Sequence, residues 1–193
     1  MKELISQERI QARVAELAEE INADFGQNEL LNLVVILRGG CFFGVDLAKH
    51  LRMPVRLDYI RVISYAGTES TGVVSLVSDI RADIQGKPVL VVDDIVDTGF
   101  TMQWILQFLE LKRPRVVRTA SLLDKPSRRI FEVHVDYLGF RVPNVFVAGY
   151  GLDGLEDTMA NIPRIVAVED TDDEVTTPLR QARMPIGSGW DSH

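Results

Sequence analysis

The chain has 193 residues, of which 46% are hydrophobic and 25% are charged, and these values fit one globular domain with a proper core. The net charge of −7 argues against a surface for nucleic acid or anionic membranes, and the single cysteine, Cys41, excludes a disulfide framework and a cysteine-based metal site. No apolar run approaches the roughly 18 residues of a membrane span, and the charged N-terminus argues against a secretory signal, so we expect a cytoplasmic protein with no membrane partner.

The first segments of the chain alternate helix and strand patterns. Residues 1–25 predict one amphipathic helix, because apolar residues recur at helical spacing from Ile10 to Ile21. The continuous apolar run Leu31–Gly40 ends in two glycines and predicts a buried strand followed by a tight loop. A helix is predicted for Cys41–Leu51.

The next segment predicts two strands separated by a loop. Val55–Tyr65 has strand composition with some alternation, and residues 73–80 follow as a return strand. Between them, Ala66–Gly72 is small, polar and rich in turn-forming residues, so we expect a mobile loop there.

A strand, a loop, a helix and a strand follow one another between residues 89 and 123. Val89–Val92 predicts a short buried strand, and Met102–Leu109 shows helical spacing that must end before Pro114. Arg115–Leu123 predicts another strand. The order is that of a right-handed βαβ unit in a parallel sheet.

The remaining sequence predicts short strands and a tail. Strand patterns lie at 135–140, 145–150 and 164–168, whereas residues 169–193 are acidic and then rich in proline, glycine and serine. We therefore expect a single α/β domain over residues 1–168, built on a central parallel sheet, and a flexible tail beyond it.

The segment that follows Val89–Val92 carries the main functional signal. Ligands of an open parallel sheet bind outside the carboxyl ends of its strands, and Asp93–Gly99 lies at such an end. The segment Asp97–Thr101 leads into a helix N-terminus, where backbone N–H groups and threonine hydroxyls suit a phosphate. The carboxylates suit sugar hydroxyls, a divalent cation or a catalytic base, so the pattern favours a phosphorylated sugar. The alternative is a solvated acidic turn with a capping aspartate.

Five segments together resemble the type I phosphoribosyltransferases, and they cover about residues 8–168 in the expected order. The most specific is VVDDIVDTGFT, which resembles the phosphoribosyl pyrophosphate loop of that family, with the acid at Asp97 in the form found in the 6-oxopurine branch. The others are LRGG at 37–40, SYAGTESTG at 64–72, SLLDKPSRR at 121–129 and VPNVFVAGYGLD at 142–153. The resemblance implies the family fold, a parallel-sheet core with a small hood made of the N- and C-terminal segments.

The resemblance implies that a purine base displaces pyrophosphate from phosphoribosyl pyrophosphate in the presence of Mg²⁺. Asp93 and Asp94 then hold the ribose hydroxyls, directly or through the metal, and Asp153 binds a second Mg²⁺. The 5′-phosphate lies against Asp97, Thr98, Gly99 and Thr101.

Further roles follow from the same resemblance. Asp97 also accepts a hydrogen bond from N7 of the purine, or acts as the base, and Lys125 contacts the 6-oxo group. Phe146 stacks on the purine and Val147 offers it backbone groups. Without the resemblance, other interpretations of these residues remain possible. They are a capping aspartate at 97, a surface lysine at 125, a core phenylalanine at 146 and a turn aspartate at 153.

The pyrophosphate end of the implied site includes a loop and a lid. Arg38 and Gly39 occupy the pyrophosphate loop, where lysine is usual at the first position and the family has a cis peptide. Ser64 and Tyr65 cover the reacting centre when the following loop closes, which makes them catalytic residues of the implied site.

One segment departs from the family pattern. After Gly-Leu-Asp the family usually has a tyrosine and then an arginine that reaches pyrophosphate, but here Gly154 and Met159 stand at those positions. Arg164 is a nearby cation that would replace the missing charge. The acidic run 169–174 is a solvated face or a metal site, and its composition favours the solvated face.

The resemblance therefore implies a hypoxanthine or hypoxanthine-guanine phosphoribosyltransferase of purine salvage that forms homodimers or homotetramers. One alternative is a regulator with the same fold that binds nucleotide without turnover, which the missing arginine favours and the acidic charge opposes. Another is an enzyme that prefers xanthine, because a lysine suits any oxopurine.

Overall fold

The fold is described from a computed structural model, which describes residues 1–65, 73–153, 158–168 and 175–178. Its elements in chain order are β1 (Lys2–Ile5), α1 (Gln7–Phe25), β2 (Leu31–Leu37), α2 (Cys41–His50), β3 (Val55–Tyr65), β4 (Val73–Ser78), β5 (Pro88–Val96), α3 (Phe100–Glu110), β6 (Val116–Asp124), a 3₁₀ turn (Pro126–Arg128), β7 (Tyr137–Arg141), β8 (Val147–Ala148) and β9 (Ile165–Ala167).

The main sheet confirms the predicted α/β class. Its strand order is β4-β3-β2-β5-β6-β7, in which β3, β2, β5, β6 and β7 are parallel and β4 pairs antiparallel with β3 at one edge. The central strands β2 and β5 are mostly apolar because both of their faces are covered, and their polar members are Asn32 and the pair Asp93 and Asp94. Helices α1 and α2 pack on one face, through residues such as Leu17 and Phe43, and α3 packs on the other through Ile105.

Two predicted boundaries were wrong at the ends of elements. The first helix begins at Gln7 rather than at the N-terminus, because Ser6 caps it by accepting a hydrogen bond from the Arg9 N–H, and Lys2–Ile5 forms strand β1 instead. Strand β5 continues four residues past Val92, because its end keeps pairing with β6 as far as Val96.

A small second sheet forms the predicted hood. Strands β1, β9 and β8 pair antiparallel in that order, so the hood joins the N-terminal segment to the C-terminal part of the domain. Beyond it, Thr176 forms an antiparallel bridge with Arg141 at the end of β7, and both of their N–H groups donate to the other residue's carbonyl. That bridge lies within the segment predicted as a tail.

None of the helices in the described ranges has both the length and the apolar composition needed to cross a membrane.

Candidate active site

A cavity of about 450 Å³ opens at the carboxyl ends of β2 and β5. It is lined by residues 36–39, Val62, residues 93–99, Thr101, Met102 and Arg128. Eight of the residues predicted to bind substrate or metal are among them, namely Arg38, Gly39, Asp93, Asp94, Asp97, Thr98, Gly99 and Thr101. The topology thus joins two sequence segments more than fifty residues apart, because β2 and β5 are neighbours in the sheet.

The β5–α3 loop has the conformation that a phosphate cradle requires. Gly99 occupies the N-cap position of α3 with φ 87°, and a Cβ there would lie 2.3 Å from the Phe131 carbonyl oxygen. The first turn of a helix has N–H groups without intrahelical partners, so this turn suits an anion; the Phe100 N–H contacts the Thr98 hydroxyl at 3.4 Å. Because Gly99 holds the cap position, the alternative that Asp97 serves as the helix cap is wrong.

The segment after β6 holds the β5–α3 loop by donating hydrogen bonds to the backbone carbonyls of that loop. The Lys125 N–H donates to the Val96 carbonyl at 3.0 Å, and Ile130 and Phe131 both donate to the Thr98 carbonyl at 3.0 Å. The carbonyl of Asp97 accepts from Arg129 Nη1 at 3.0 Å, and the same guanidinium binds the buried Asp124 carboxylate. The cradle is therefore held by the neighbouring strand and not by its own turn alone.

The paired acids Asp93 and Asp94 are desolvated. Burial, followed by the neighbouring carboxylate, raises the pKa of Asp93 well above its ordinary value, and burial also raises the pKa of Asp94. The Asp93 side chain accepts from the Asp94 N–H at 3.0 Å, and Asp94 accepts from the Ile95 N–H at 2.9 Å. Two neighbouring carboxylates at a cavity wall, of which Asp93 is buried and Asp94 is partly exposed, form a donor set that suits a hard divalent cation.

Asp97 faces two cations of different character. The Arg128 Nε lies 2.9 Å from Asp97 Oδ1, but in an orientation that makes no hydrogen bond, so this buried oxygen has an ion-pair partner and no hydrogen-bond donor among the described residues. Lys125 is only 6% exposed, which rules out a surface lysine. Burial lowers the pKa of its ammonium group, and the Asp97 charge opposes that shift.

The opposite end of the cavity carries a second arginine–carboxylate pair. Arg38 Nη2 donates to Asp153 Oδ2 at 2.9 Å, and the Leu37–Arg38 peptide is cis, as the family resemblance implies. Gly39 is pressed against the acids, since a Cβ on it would lie 1.7 Å from Asp94 Oδ2. Asp153 is therefore positioned by a cavity residue although it does not itself line the cavity.

The hood is docked on the main domain beside this end. A Cβ on Gly151 would lie 2.5 Å from the Gly39 carbonyl oxygen, so the two backbones touch. The buried Tyr150 donates its hydroxyl to Asp46 Oδ2 on α2 at 2.7 Å, and its ring lies 5.9 Å from that of Phe42. Burial, and then the bond to Asp46, raise the pKa of Tyr150, so it stays a hydrogen-bond donor.

Two of the predicted base-binding residues lie at the edge strand of the hood, Val147 within β8 and Phe146 directly before it. Phe146 is 43% exposed, so the alternative of a core phenylalanine is wrong. Its carbonyl accepts from the Val168 N–H at 2.9 Å, and in an antiparallel pair the next residue points its backbone groups the other way. The N–H and C=O of Val147 therefore point away from β9, toward the open edge of the small sheet.

Several predictions fall at or beyond the described ranges. Ser64 and Tyr65 end β3 and pair with Val74 and Val73, but the predicted lid at 66–72, Gly154 and the acidic run 169–174 lie outside the described residues. Two other residues of the departing segment are described. Met159 has φ 76°, and the Arg164 guanidinium lies 3.3 Å from Glu3 Oε2 of β1 instead of at the cavity wall.

Arg128, Arg129 and Tyr150 are not among the site residues predicted from the sequence. The signal was present for the two arginines, because they follow Lys125 at the carboxyl end of β6, next to the β5 loop. Tyr150 had no such signal, since its partner Asp46 lies on a distant helix.

This arrangement can hold Mg²⁺ with only a few protein ligands. Across the described ranges, no group of three or more histidine, cysteine, aspartate or glutamate side chains converges as a metal cluster. Asp93 and Asp94 nevertheless present carboxylate oxygens to the cavity, and Mg²⁺ usually completes its shell with substrate oxygens and water.

Comparison with known proteins agrees with this geometry. The model of the phosphoribosyl transferase domain family matches residues 1–154. The chain is 43% identical to the hypoxanthine-guanine phosphoribosyltransferase of Mycobacterium avium over 158 residues, which are 78% of this chain and 77% of that protein. It is 41% identical to the enzyme of that name from Aquifex aeolicus over 171 residues, which are 88% of this chain and 96% of the relative.

A solved structure shows the same fold with a ligand. The hypoxanthine phosphoribosyltransferase of Trypanosoma cruzi, in complex with the product IMP, superposes with a TM-score of 0.81 at 36% identity, over 88% of this chain and 95% of the other. The family match, the relatives and the site geometry agree, and the chain belongs to the phosphoribosyltransferase family, among the hypoxanthine-guanine phosphoribosyltransferases.

Proposed function

We propose that this protein transfers the 5-phosphoribosyl group of phosphoribosyl pyrophosphate to a 6-oxopurine, releasing pyrophosphate and forming IMP or GMP in purine salvage. The observation that carries the proposal is the single cavity that joins a helix N-terminal cradle, two desolvated carboxylates and the Arg38 loop. These three parts suit the phosphate, the ribose hydroxyls and the pyrophosphate of one substrate, in that order along β5 and β2.

The substrate's sugar and phosphate are held by the strand-end residues. Thr98, Gly99 and Thr101 receive the 5′-phosphate, while Asp93 and Asp94 face the ribose hydroxyls. Asp93, Asp94 and Asp153 would hold Mg²⁺, which would supply positive charge to the departing pyrophosphate. Positioning and charge stabilisation are the main sources of catalysis expected here, because the anomeric carbon becomes cationic as pyrophosphate leaves.

The base is read by a cation and an anion that lie close together. The buried Lys125 donates to a 6-oxo group and has no lone pair to accept from a 6-amino group, which favours hypoxanthine and guanine over adenine. Asp97 accepts the N7 proton of the purine, and its Oδ1 has an unused acceptor position. Phe146, which is exposed at the edge of the hood, stacks on the purine, and Val147 supplies backbone groups.

The remaining roles complete the reacting centre. Arg38 and Gly39 bind the pyrophosphate, and Ser64 with Tyr65 covers the anomeric carbon at the end of β3. We also retain the predictions of a homodimer or homotetramer and of a cytoplasmic location. Size measurement of the purified chain in solution tests the oligomer, and a monomer would contradict it.

One assay tests the function and its alternatives together. The protein is incubated with phosphoribosyl pyrophosphate, Mg²⁺ and, separately, hypoxanthine, guanine, xanthine and adenine, and nucleotide formation is followed. We expect IMP and GMP. No turnover with any base would favour the regulator, turnover with xanthine alone would favour the xanthine enzyme, and a preference for adenine would contradict the role of Lys125.

A further inference from the structure

The two adjacent arginines after β6 are held in opposite ways. Arg129 is 12% exposed and is committed to the Asp97 carbonyl and the Asp124 carboxylate. Arg128 is 50% exposed and lines the cavity, where its guanidinium forms an ion pair with Asp97 Oδ1, while its backbone N–H donates to the Lys125 carbonyl. Arg129 is therefore part of the loop's support, whereas Arg128 is a movable cation on the cavity wall.

The Arg128–Asp97 pair is poorly matched as a permanent contact. The two atoms are 2.9 Å apart, but their orientation makes no hydrogen bond, and Oδ1 is left without a donor among the described residues. Partly exposed ion pairs are also individually weak. A phosphate dianion accepts two parallel charge-assisted hydrogen bonds from a guanidinium. This bidentate geometry makes the contact with phosphate stronger than the contact with Asp97.

We propose that Arg128 exchanges between Asp97 and the phosphate in the Thr98–Thr101 cradle, and that this exchange couples the phosphate site to the base site. When the phosphate binds, the guanidinium turns to it and leaves the Asp97 carboxylate free for the N7 proton of the purine. Arg128 is thus a further phosphate-binding residue. It is also a positioning residue for Asp97. The proposal rests on the function proposed above.

Reciprocity gives the proposal a measurable form. If the phosphate removes Arg128 from Asp97, then an occupied phosphate site must raise the affinity for the base, and the base must raise the affinity for the phosphate by the same factor. Coupling of this kind is typically about 5- to 150-fold. The Arg128→Gln variant leaves Asp97 free at all times, so it should bind the phosphate more weakly and lose the coupling.

Calorimetric titration of the full chain tests this with two probes, ribose 5-phosphate and hypoxanthine, each alone and in the presence of the other. In the wild type we expect ribose 5-phosphate to tighten hypoxanthine binding about fivefold or more. In Arg128→Gln we expect about tenfold weaker ribose 5-phosphate binding and no coupling, as for the loss of one charge-assisted contact. Arg128→Lys should retain part of the phosphate affinity, because it keeps the charge and loses the fork.

Arg115→Gln is the matched control. Arg115 forms an ion pair with Glu29 at 2.5 Å, and the side chains of the two residues are 42% and 44% exposed. The side chains of Arg128 and Asp97 are 50% and 38% exposed, so the two pairs are similarly open to solvent. The control should behave as the wild type. Absence of coupling in the wild type, or an Arg128→Gln variant that matches Arg115→Gln in affinity and coupling, would overturn the proposal. If the wild type forms no nucleotide, the proposed function has failed instead.

Discussion

The two ends of the cavity are built by different means. At the phosphate end, the β5–α3 loop receives four hydrogen bonds to three consecutive carbonyls from the segment after β6, the adjacent strand of the same sheet. At the pyrophosphate end, Asp153 comes from the hood and meets Arg38 of the main sheet across a boundary between two sheets. The phosphate end carries the pairs Arg128–Asp97 and Arg129–Asp124, the pyrophosphate end carries Arg38–Asp153, and only the first end is supported by a continuous sheet.

The difference teaches where precision comes from in this fold. Neighbouring strands fix one another by register, so a loop that follows one strand is held by the loop that follows the next. The hood has no register with the main sheet and is joined to it by side-chain packing, since Ile5, Val147 and Ile165 share one buried cluster with the main domain. The touching backbones of Gly39 and Gly151 and the bond from Tyr150 to Asp46 add to that packing. Changes at the phosphate end should therefore affect the chemistry, the strain of the loop and phosphate binding, and changes at the hood should raise KM with little change in kcat.

The largest effect is expected for Asp97→Asn. The change removes the carboxylate that accepts the N7 proton, and loss of a general base typically lowers turnover by about 10²- to 10⁴-fold. The affinity for phosphoribosyl pyrophosphate should change far less, since the threonine and backbone contacts remain. Steady-state kcat beside a binding titration separates the two quantities, and equal losses of both would indicate that Asp97 only shapes the loop.

Gly99→Ala comes next and tests the rigidity of the phosphate end. An alanine there meets both an unfavourable φ of 87° and the Phe131 carbonyl at 2.3 Å, so we expect about 1–3 kcal/mol of lost stability and at least tenfold weaker phosphoribosyl pyrophosphate binding. Gly86→Ala is the control, because Gly86 also has positive φ, 68°, but nothing lies within 4 Å of a Cβ there. Thermal unfolding and titration should show that the control loses some stability and no affinity; equal affinity losses would contradict the steric argument.

Tyr150→Phe tests the docking of the hood with a smaller expected effect. It removes the hydroxyl that donates to Asp46, a bond of the kind that contributes about 1 kcal/mol, and leaves the ring contact with Phe42. We expect the KM for phosphoribosyl pyrophosphate to rise about fivefold with little change in kcat. Tyr137→Phe, which loses a bond to Asp24 on α1, provides the matched control and should leave KM unchanged. A fall in kcat without a rise in KM would place the effect at the reacting centre.

Asp93→Asn should raise the free energy of unfolding by about 1 kcal/mol at pH 7 in metal-free buffer. The change removes a buried charge beside Asp94, and it keeps the side-chain oxygen that accepts from the Asp94 N–H. The pKa of Asp93 is higher in the folded protein than the 3.8 of the unfolded chain. The wild type therefore loses stability as the pH rises from 3.8 through the folded pKa, and the difference in unfolding free energy between the variant and the wild type grows over that pH range.

Thermal unfolding over that pH range measures the advantage of Asp93→Asn. Asp136→Asn is the contrast, since that buried carboxylate accepts from the Thr119 N–H and from Arg118, and its loss should lower stability. A destabilised Asp93→Asn variant at pH 7 would contradict the view that function, not stability, retains this acid.

The sequence predicted the elements and the strand-end residues well, because both depend on local patterns. The apolar runs of β2 and β5 and the turn chemistry of residues 97–101 are local signals, and the cavity brings eight of the predicted residues together. The strand β1 was missed because its four residues are too few to show a clear alternation of apolar and polar residues. Its partner β9 also lies more than 150 residues away.

The pairings between distant residues could not be predicted. Nothing local links Tyr150 to Asp46 or Arg38 to Asp153, because these contacts exist only once the hood docks on the sheet. The extension of β5 to Val96 has the same origin, since pairing with β6 and not the composition of β5 decides where that strand ends. Long-range packing therefore decided most of what the sequence did not show.

The most direct test of the whole account is IMP formation from hypoxanthine, phosphoribosyl pyrophosphate and Mg²⁺ by the wild type, Asp97→Asn and Arg115→Gln in parallel. The account predicts rapid IMP formation by the wild type and Arg115→Gln, and at least a hundredfold slower formation by Asp97→Asn with phosphoribosyl pyrophosphate still bound. No IMP from the wild type, or equal rates for all three proteins, would contradict the claim that this cavity carries out the transfer.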